Sequence, residues 1–304
     1  MTMNTITAFE EDIKLQENFI KKFTPQKPFS KTYQKRMIFC GTGDSFAAAL
    51  LAGAFSNFLV RTFDPLDLVK NRNIAKNNTI FLVSISGNTA TNIKLAKLFK
   101  RSVAVTANSK SNLSMSSGKT IALNYPSSNV FTSGSIGFLA SALTCISLVT
   151  KFSTKKVSSM FLEAQKVSKR IKLSGRVFIL GNLHTFPISM YFAAKLYEVL
   201  GIAAQYEHIE QFSHMGLFSA KKGDTVFIFD ENSSYNTKLK QNLTNVGMNV
   251  IHPVANTKDK IAQICFYTFL SQFVSLFYAK KFNQKQCYFV IAKNLRNASS
   301  KMIY

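Results

Sequence analysis

Short apolar runs alternate with longer amphipathic stretches along most of this 304-residue chain. The short runs are rich in β-branched and aromatic residues, which is typical of buried strands. They lie at Met37–Cys40, Thr79–Val83, Ser102–Thr106, 120–123, Val177–Gly181 and Thr225–Phe229. Helical spacing of the apolar positions predicts helices over 5–23, 46–58, 90–99, 136–149, 157–171 and 261–279. Strands that alternate with helices predict an α/β fold with parallel sheets and right-handed crossovers.

The second half of the chain repeats the first. The segments 37–41, 79–83 and 106–110 have counterparts at 177–181, 225–229 and 254–258, so the offset drifts only from 140 to 148 residues. A polar and basic stretch at 151–156 lies between the two halves. The pattern predicts a duplication with two domains, 1–152 with the N-terminal helix and 153–304 with the C-terminal tail.

The segment 84–89, SISGNT, connects the predicted strand Thr79–Val83 to the next helix. Ser84, Ser86 and Thr89 can donate hydrogen bonds, and no side chain in the segment is acidic. Gly87 lets the backbone come close to a ligand, and the N–H groups of the following helix point toward such a turn. Ser and Thr are also common helix caps, but three hydroxyls around a glycine favour a phosphate site.

A second turn of this kind, GTGDS at 41–45, follows the predicted strand Met37–Cys40. Alone it is a weak signal, but both turns fall where parallel sheets bind ligands, at the carboxyl ends of strands. In the repeat, Asp230 and Glu231 stand in the place of the serine segment, and their carboxylates would repel a phosphate. The sequence therefore predicts one phosphate site per chain.

The segment 84–89 resembles the Ser-x-Ser-Gly-x-Thr phosphate loop of the sugar isomerase (SIS) domain family. Ile85 stands where the amino-sugar synthases of that family usually have Gln, and Asn88 stands where they have Glu. The resemblance covers about the whole chain. It implies two tandem SIS domains, each a flavodoxin-like parallel sheet flanked by helices on both faces. It also implies that Gly41, Thr42 and Ser45 belong to the ligand site.

A second candidate site combines Lys195 and Glu198 on one helix with His214, 16 residues after Glu198. Taken alone, the lysine and the glutamate are typical of a solvated helix face, and a lone histidine is more often a packed or surface residue. Their spacing resembles the Lys-x-x-Glu pair and histidine segment of the amino-sugar-phosphate synthases. Lys301 resembles the lysine of the family's Arg-Asn-x-x-Lys tail, one residue late; alone, it is typical of a solvated terminus.

The resemblance implies a catalytic role for each of these residues. Glu198, with Lys195 beside it, carries a proton between C1 and C2 of a sugar phosphate, a task that suits a carboxylate. His214 opens the sugar ring, since histidine titrates near neutral pH, and Lys301 holds a ketose as a Schiff base. The resemblance also implies a homodimer with a shared active site, with the histidine supplied by either subunit. No cofactor and no metal are expected.

The chain starts Met1-Thr2-Met3, without the N-terminal catalytic cysteine of the glutamine-hydrolysing domain of glucosamine-6-phosphate synthase. We therefore expect an isomerase or deaminase that acts on a hexosamine or hexose 6-phosphate and resembles glucosamine-6-phosphate deaminases. Phosphoglucose/phosphomannose isomerases have a similar layout, but they place an arginine late in the first domain, and none occurs here between Arg101 and Arg170. A non-catalytic sugar-phosphate regulator would not need all of the catalytic residues.

The net charge of +23 allows nucleic-acid binding as a third class. Because the Lys and Arg residues are dispersed in runs no longer than two, we expect no nucleic-acid partner. The apolar stretch 261–279 is interrupted by polar residues, which predicts a buried helix and no membrane span. The four cysteines lack metal spacing and lie far apart, which predicts buried thiols and, with no signal sequence, a cytoplasmic protein.

Overall fold

The computed structural model of the protein describes residues 3–303. The strands are β1 Met37–Cys40, β2 Arg61–Phe63, β3 Thr79–Val83, β4 Ser102–Thr106, β5 Lys119–Ala122, β6 Val177–Gly181, β7 Ala204–His208, β8 Thr225–Phe229 and β9 Asn249–Ile251. The helices are α1 Thr5–Lys22, α2 Lys31–Gln34, α3 Asp44–Phe55, α4 Pro65–Lys70, α5 Ala90–Leu98, α6 Asn112–Ser116, α7 Ile136–Ser147, α8 Val157–Ser168, α9 Phe186–Lys195, α10 Ile209–His214, α11 Ser234–Asn245, α12 Lys260–Lys281, α13 Tyr288–Ile291 and α14 Lys293–Ile303.

Contacts between residues divide the chain into two compact units. The first-sheet unit comprises 22–128, 134–153 and 292–304, and the second-sheet unit comprises 1–21, 129–133 and 154–291. Helix α1 is grouped with the second sheet because Gln16 Nε2 donates to Gln272 Oε1 at 2.6 Å and Lys280 pairs with Glu10. The units therefore interleave along the chain. A boundary between two domains after residue 152 stays a prediction from the sequence.

The first-sheet unit contains a five-stranded parallel sheet in the order β2-β1-β3-β4-β5. Every residue of β1 and β4 is buried, because helices cover both faces of such a sheet. Phe39 on β1 and Phe81 on β3 stack with their ring centroids 4.7 Å apart. This core fixes the neighbouring strands β1 and β3, and thereby the two loops that leave their carboxyl ends.

The second-sheet unit contains a four-stranded parallel sheet in the order β7-β6-β8-β9. Its order repeats that of the first sheet, with β6, β7, β8 and β9 in the places of β1, β2, β3 and β4. This correspondence agrees with the duplication predicted from the sequence. The structure is therefore an α/β fold with two parallel sheets flanked by helices, as predicted. Within the described residues, β5 has no counterpart in the second sheet.

Helix α12 is long and apolar enough by composition to cross a membrane, but 89% of its most apolar window is buried inside the protein. It packs on α8, where Phe161 makes edge-to-face contacts with Phe269 and Phe273. The helix is thus part of the core, as predicted. Cys40, Cys145, Cys265 and Cys287 are buried free thiols.

The predicted strands and helices are present, and their ends differ by a few residues. The helix predicted over 46–58 ends at Phe55, because Asn57 and Phe58 adopt left-handed backbone angles with φ of 55° and 59°. The strands β2, β7 and β9 were not predicted. They are partly exposed, so their residues lack the continuous apolar run that marks a buried strand.

Candidate functional site

The serine loop, residues 84–89, leaves the carboxyl end of β3 and leads into α5. The hydroxyls of Ser84 and Thr89 are buried and lie 3.1 Å apart, and the Ser84 hydroxyl accepts from the Gly87 N–H at 3.2 Å. Thr89 precedes α5 but makes no capping hydrogen bond with its side chain. The first-turn N–H groups of α5 are therefore not consumed by a side-chain cap, which leaves them available to an anion.

Gly87 has a left-handed φ of +67° and lies against the loop that follows β4. A Cβ atom at this position would come within 2.1 Å of the Ser111 hydroxyl, so only glycine fits. Ser86 is exposed at the tip of the loop, and its hydroxyl accepts from the Asn88 N–H at 3.3 Å. Ile85 instead packs toward Gly137 of α7, so the residue that replaces the family's usual Gln lies against protein.

The glycine turn 41–45 leaves the carboxyl end of β1, the parallel neighbour of β3. The two loops therefore begin at the same edge of the same sheet. A Cβ atom at Gly41 would lie 2.6 Å from the backbone of Ser45, so glycine permits the tight turn into α3. The hydroxyls of Thr42 and Ser45 make no hydrogen bond with a described residue and are partly exposed. This edge thus presents hydroxyl donors from both loops.

A second cluster lies in the second-sheet unit, where Lys195, Glu198 and Ser133 meet. The Lys195 side chain is fully buried, and its Nζ donates to Glu198 Oε2 at 2.6 Å and to Ser133 Oγ at 2.8 Å. Ser133 donates in turn to Glu198 Oε2 at 2.6 Å. The Glu198 side chain is 39% exposed, and its Oε1 makes no hydrogen bond with a described residue. The carboxylate is therefore held by one oxygen and open at the other.

The backbone at Glu198 departs from the regular α-helix. Helix α9 continues after Lys195 as a π-helical turn, Leu196–Leu200, which ends at Gly201 with φ of +70°. π-Helical turns are rare in proteins as a whole, but those that occur are frequently found at functional sites. Lys195 also lies over the ring of Tyr191, 5.0 Å from its centroid, so an aromatic face contributes to the stabilisation of the buried ammonium.

Ser133 is the residue of this cluster that sequence reasoning missed. Ser133 lies two residues before Ser135, the N-cap residue of helix α7, which makes no side-chain capping hydrogen bond. Ser133 contacts residues 62 and 65 positions away instead. No local pattern could have indicated this contact, because it depends on how the segment packs against α9.

His214 is the last residue of α10 and is exposed to solvent. It makes no hydrogen bond or ion pair with Lys195 or Glu198 within the described residues. Beside it lies a cleft of about 500 Å³ lined by Phe186, Tyr206, Glu207, His208, Gln211, Met215 and Gly216. Desolvation raises the pKa of the Glu207 carboxyl in this cleft. The structure thus brings Lys195 and Glu198 together but does not bring His214 to them.

Lys301 lies on α14, in the first-sheet unit, and is exposed. It forms no ion pair with a described residue. Across residues 3–303, no three His, Cys, Asp or Glu side chains are grouped so that they could hold a metal ion.

Comparisons with known proteins address the fold. No protein-family profile and no curated protein sequence matches the chain. Glucosamine-6-phosphate deaminase from Thermotoga maritima matches with a TM-score of 0.71 and 19% identity over 92% of this chain and 95% of that one. The C-terminal domain of glucosamine-fructose-6-phosphate aminotransferase from Francisella tularensis matches with a TM-score of 0.67 and 15% identity, over 91% of this chain and 96% of that one. Tagatose-6-phosphate ketose/aldose isomerase from Escherichia coli matches with a TM-score of 0.68 and 15% identity, over 92% of this chain and 91% of that one.

At these identities the likeness concerns the fold, and it extends over nearly the full length of each chain. The two sheets, their shared strand order and the glycine-containing loops at the strand ends match the resemblance that the serine loop indicated. The chain therefore has the fold of two tandem SIS domains and resembles, in its architecture, the sugar-phosphate isomerase and deaminase structures.

Proposed function

We propose that the protein is a sugar-phosphate isomerase or deaminase that acts on a hexosamine or hexose 6-phosphate. The observation that carries the proposal is the triangle of Lys195, Glu198 and Ser133. A fully buried ammonium is costly, and Glu198 Oε2, the Ser133 hydroxyl and the Tyr191 ring all contribute to its stabilisation. A purely structural ion pair would gain from satisfying both oxygens, whereas here Oε1 remains available to a substrate.

In this proposal Glu198 is the acid–base group. Its Oε1 accepts the proton from C1 of the ketose form, and the carbonyl oxygen at C2 takes a proton as the enediol forms. Glu198 then returns its proton to C2 while the hydroxyl at C1 releases its proton to water and becomes the carbonyl of the aldose, which balances the proton that the C2 oxygen took up. Lys195 and Ser133 position the carboxylate through Oε2, so the open oxygen is presented in one orientation.

The serine loop is proposed as the phosphate site. The hydroxyls of Ser84, Ser86 and Thr89 and the uncapped N-terminus of α5 supply donors, and none of these groups carries a negative charge. The same edge of the first sheet is shaped by the tight turns at Gly41 and Gly87, and the hydroxyls of Thr42 and Ser45 extend it. His214 as the ring-opening group, Lys301 as the Schiff-base lysine and a cytoplasmic location stay proposals that rest on the family resemblance.

Incubation of the purified chain with candidate substrates tests the activity. Glucosamine-6-phosphate, fructose-6-phosphate with ammonia and glucose-6-phosphate are supplied separately, and the products are followed by NMR. Formation of fructose-6-phosphate from glucosamine-6-phosphate with release of ammonia identifies a deaminase, and exchange between glucose-6-phosphate and fructose-6-phosphate identifies an isomerase. Binding of these compounds without turnover would contradict the enzymatic proposal and identify a sugar-phosphate regulator.

A further inference from the structure

The first-sheet unit carries most of the net positive charge of the protein. It contains 19 of the 38 Lys and Arg residues but only three of the 15 Asp and Glu residues, which leaves it with +16 of the total +23. Those three acids, Asp44, Asp64 and Asp67, all follow the carboxyl ends of β1 and β2. The amino edge of the sheet, opposite the serine loop, is therefore free of acidic residues from its own unit.

Basic residues stand at the amino end of every strand of this sheet. We call them the basic edge: Arg61 begins β2, Lys35 and Arg36 precede β1, Arg72 and Lys76 precede β3, Lys100 and Arg101 precede β4, and Lys119 begins β5. All eight are exposed, and none forms an ion pair with a described residue. In the sequence they are scattered in runs of at most two, but parallel pairing brings them to one side.

The basic edge is long and locally concave. Five strands spaced about 4.8 Å apart give a row about 19 Å long, which is longer than a sugar phosphate. In its middle, Arg72, Lys76, Lys100 and Arg101 line a cleft of about 460 Å³ together with Asn73, Asn77 and Asn78. Cations that crowd a shared concave surface repel one another, so an anion in the cleft is favoured on electrostatic grounds.

In contrast to the expectation from the dispersed charges of the sequence, we propose that the basic edge binds the phosphate backbone of single-stranded nucleic acid without sequence preference. A base-stacked strand places one phosphate about every 3.4 Å along its helix axis, so roughly five or six phosphates span the row. Four of the five arginines of this unit belong to the basic edge, and their guanidinium groups match phosphate oxygens in pairs. Leu98 is the exposed large apolar side chain of the cleft. One such side chain offers too little apolar surface for insertion into a membrane.

A salt titration with a fluorescent oligothymidylate of about 20 nucleotides tests this surface. We expect a dissociation constant of about 10⁻⁴–10⁻⁶ M near physiological salt, and an affinity that falls as salt rises from about 50 to 200 mM. The double variant Arg72→Gln with Arg101→Gln should bind about ten- to thirtyfold more weakly at 0.1 M salt. Its log–log salt slope should be shallower by about 1.4, because each lost phosphate contact contributes about 0.7.

The matched control is the double variant Lys94→Gln with Lys97→Gln, which removes the same charge from exposed positions on α5 of the same unit. It should retain the wild-type slope. If the arginine variant fails to fold in a thermal melt, Lys76→Gln with Lys100→Gln replaces it. Equal losses in both pairs, absence of oligonucleotide binding at about 50 mM salt, or displacement of the oligonucleotide by fructose-6-phosphate would overturn the proposal. Binding to phosphatidylserine vesicles in place of the oligonucleotide would also overturn it.

Discussion

At the scale of single residues, the burial of Lys195 is the most consequential feature. A lysine with 0% exposure keeps its charge only if acceptors replace the lost water, and Glu198 and Ser133 are such acceptors. Removing Ser133 therefore has two separable effects. The buried ammonium loses a partner, and the open oxygen of Glu198 loses its fixed orientation.

Replacement of Glu198 by Gln tests its role as the acid–base group. We expect turnover to fall by about 10²–10⁴-fold, because an amide cannot carry the proton. Binding of fructose-6-phosphate should change little, since the phosphate is assigned to the serine loop. Rate measurements and calorimetric titration separate the two effects. Glu210→Gln, at an exposed position of α10, is the matched control. Near-normal turnover in Glu198→Gln would show that Glu198 is not the acid–base group, and Glu207 would be the next candidate.

Replacement of Ser133 by Ala tests the positioning of Glu198. The change removes a donor to Glu198 Oε2 and an acceptor for Lys195 Nζ, so we expect a loss of about 1–3 kcal/mol in the free energy of unfolding. The maximal rate should fall while KM stays similar, and Ser133→Thr should restore part of both. Urea denaturation and steady-state kinetics measure these quantities.

Ser135→Ala is the control for that prediction, two residues along the chain. The Ser135 hydroxyl is buried and has no hydrogen-bond partner among residues 3–303, so its removal should be neutral or slightly stabilising. A loss of stability as large as that of Ser133→Ala would show that the segment tolerates no truncation, and the bridging role of Ser133 would lose its support.

At the scale of elements, the β3–loop–α5 unit combines a buried strand with an uncapped helix. Replacement of Ser86 by Asp should abolish sugar-phosphate binding and leave the melting temperature unchanged or slightly raised. The carboxylate would occupy the N–H donors of α5 and repel the phosphate, while an acid at a helix N-terminus contributes about 0.3–1 kcal/mol. Calorimetric titration with fructose-6-phosphate and a thermal melt measure the two outcomes.

Ser159→Asp provides the matched control, because Ser159 lies exposed in the first turn of α8, away from the serine loop in the chain. It should change the melting temperature in the same direction and leave binding intact. Normal affinity for fructose-6-phosphate in Ser86→Asp would mean that the phosphate binds elsewhere.

The amino ends of β6 and β8 are joined by Arg176 and Asp224. Asp224 accepts from the Arg176 N–H at 2.9 Å, from its Nε at 3.2 Å and from the Lys221 N–H at 2.9 Å. Burial by itself would raise the pKa of this carboxyl, but the hydrogen bonds and the Arg176 charge outweigh it and lower the pKa below its usual value. The ionised form is therefore the one that stabilises the fold.

Because the folded-state pKa of Asp224 is lowered, its contribution to stability is present above the unfolded pKa and is lost as pH falls through the folded one. We expect Asp224→Asn to lose about 1.5–3 kcal/mol in unfolding free energy at neutral pH. That difference from wild type should shrink below about pH 4. Urea denaturation across this range measures it, with Glu210→Gln as an exposed control. A difference that stays constant to low pH would contradict the assignment.

At the scale of the whole molecule, we expect a homodimer with a shared active site. The expectation rests on the family resemblance and on a His214 that makes no contact with Glu198 within the described chain. Most soluble oligomers are symmetric dimers, and such an interface can bring a residue of one subunit to the site of the other. Sedimentation velocity at micromolar concentration measures the state. A monomer with full activity would contradict the prediction.

The sequence by itself determined the elements that depend on local patterns. Local patterns predicted the apolar runs of β1, β3, β6 and β8 and the glycine turns after β1 and β3. They could do so because burial and turn geometry restrict the residue types over a few positions. The duplication could be predicted from the sequence for the same reason, since each repeat preserves these local constraints. The short edge strand β2, with its exposed Arg61, carries no such constraint and was missed.

Only the tertiary structure decided which distant residues meet. Lys195 and Ser133 are 62 positions apart, and nothing near either residue in the sequence specifies their contact. The buried state of Lys195 follows from packing on α9, so the sequence pattern of a solvated helix face was wrong for it. Likewise, scattered residues such as Arg72 and Arg101 form one surface because parallel strands bring their amino ends to one edge. Contacts of this kind depend on strand order, which local hydrophobic patterns leave open.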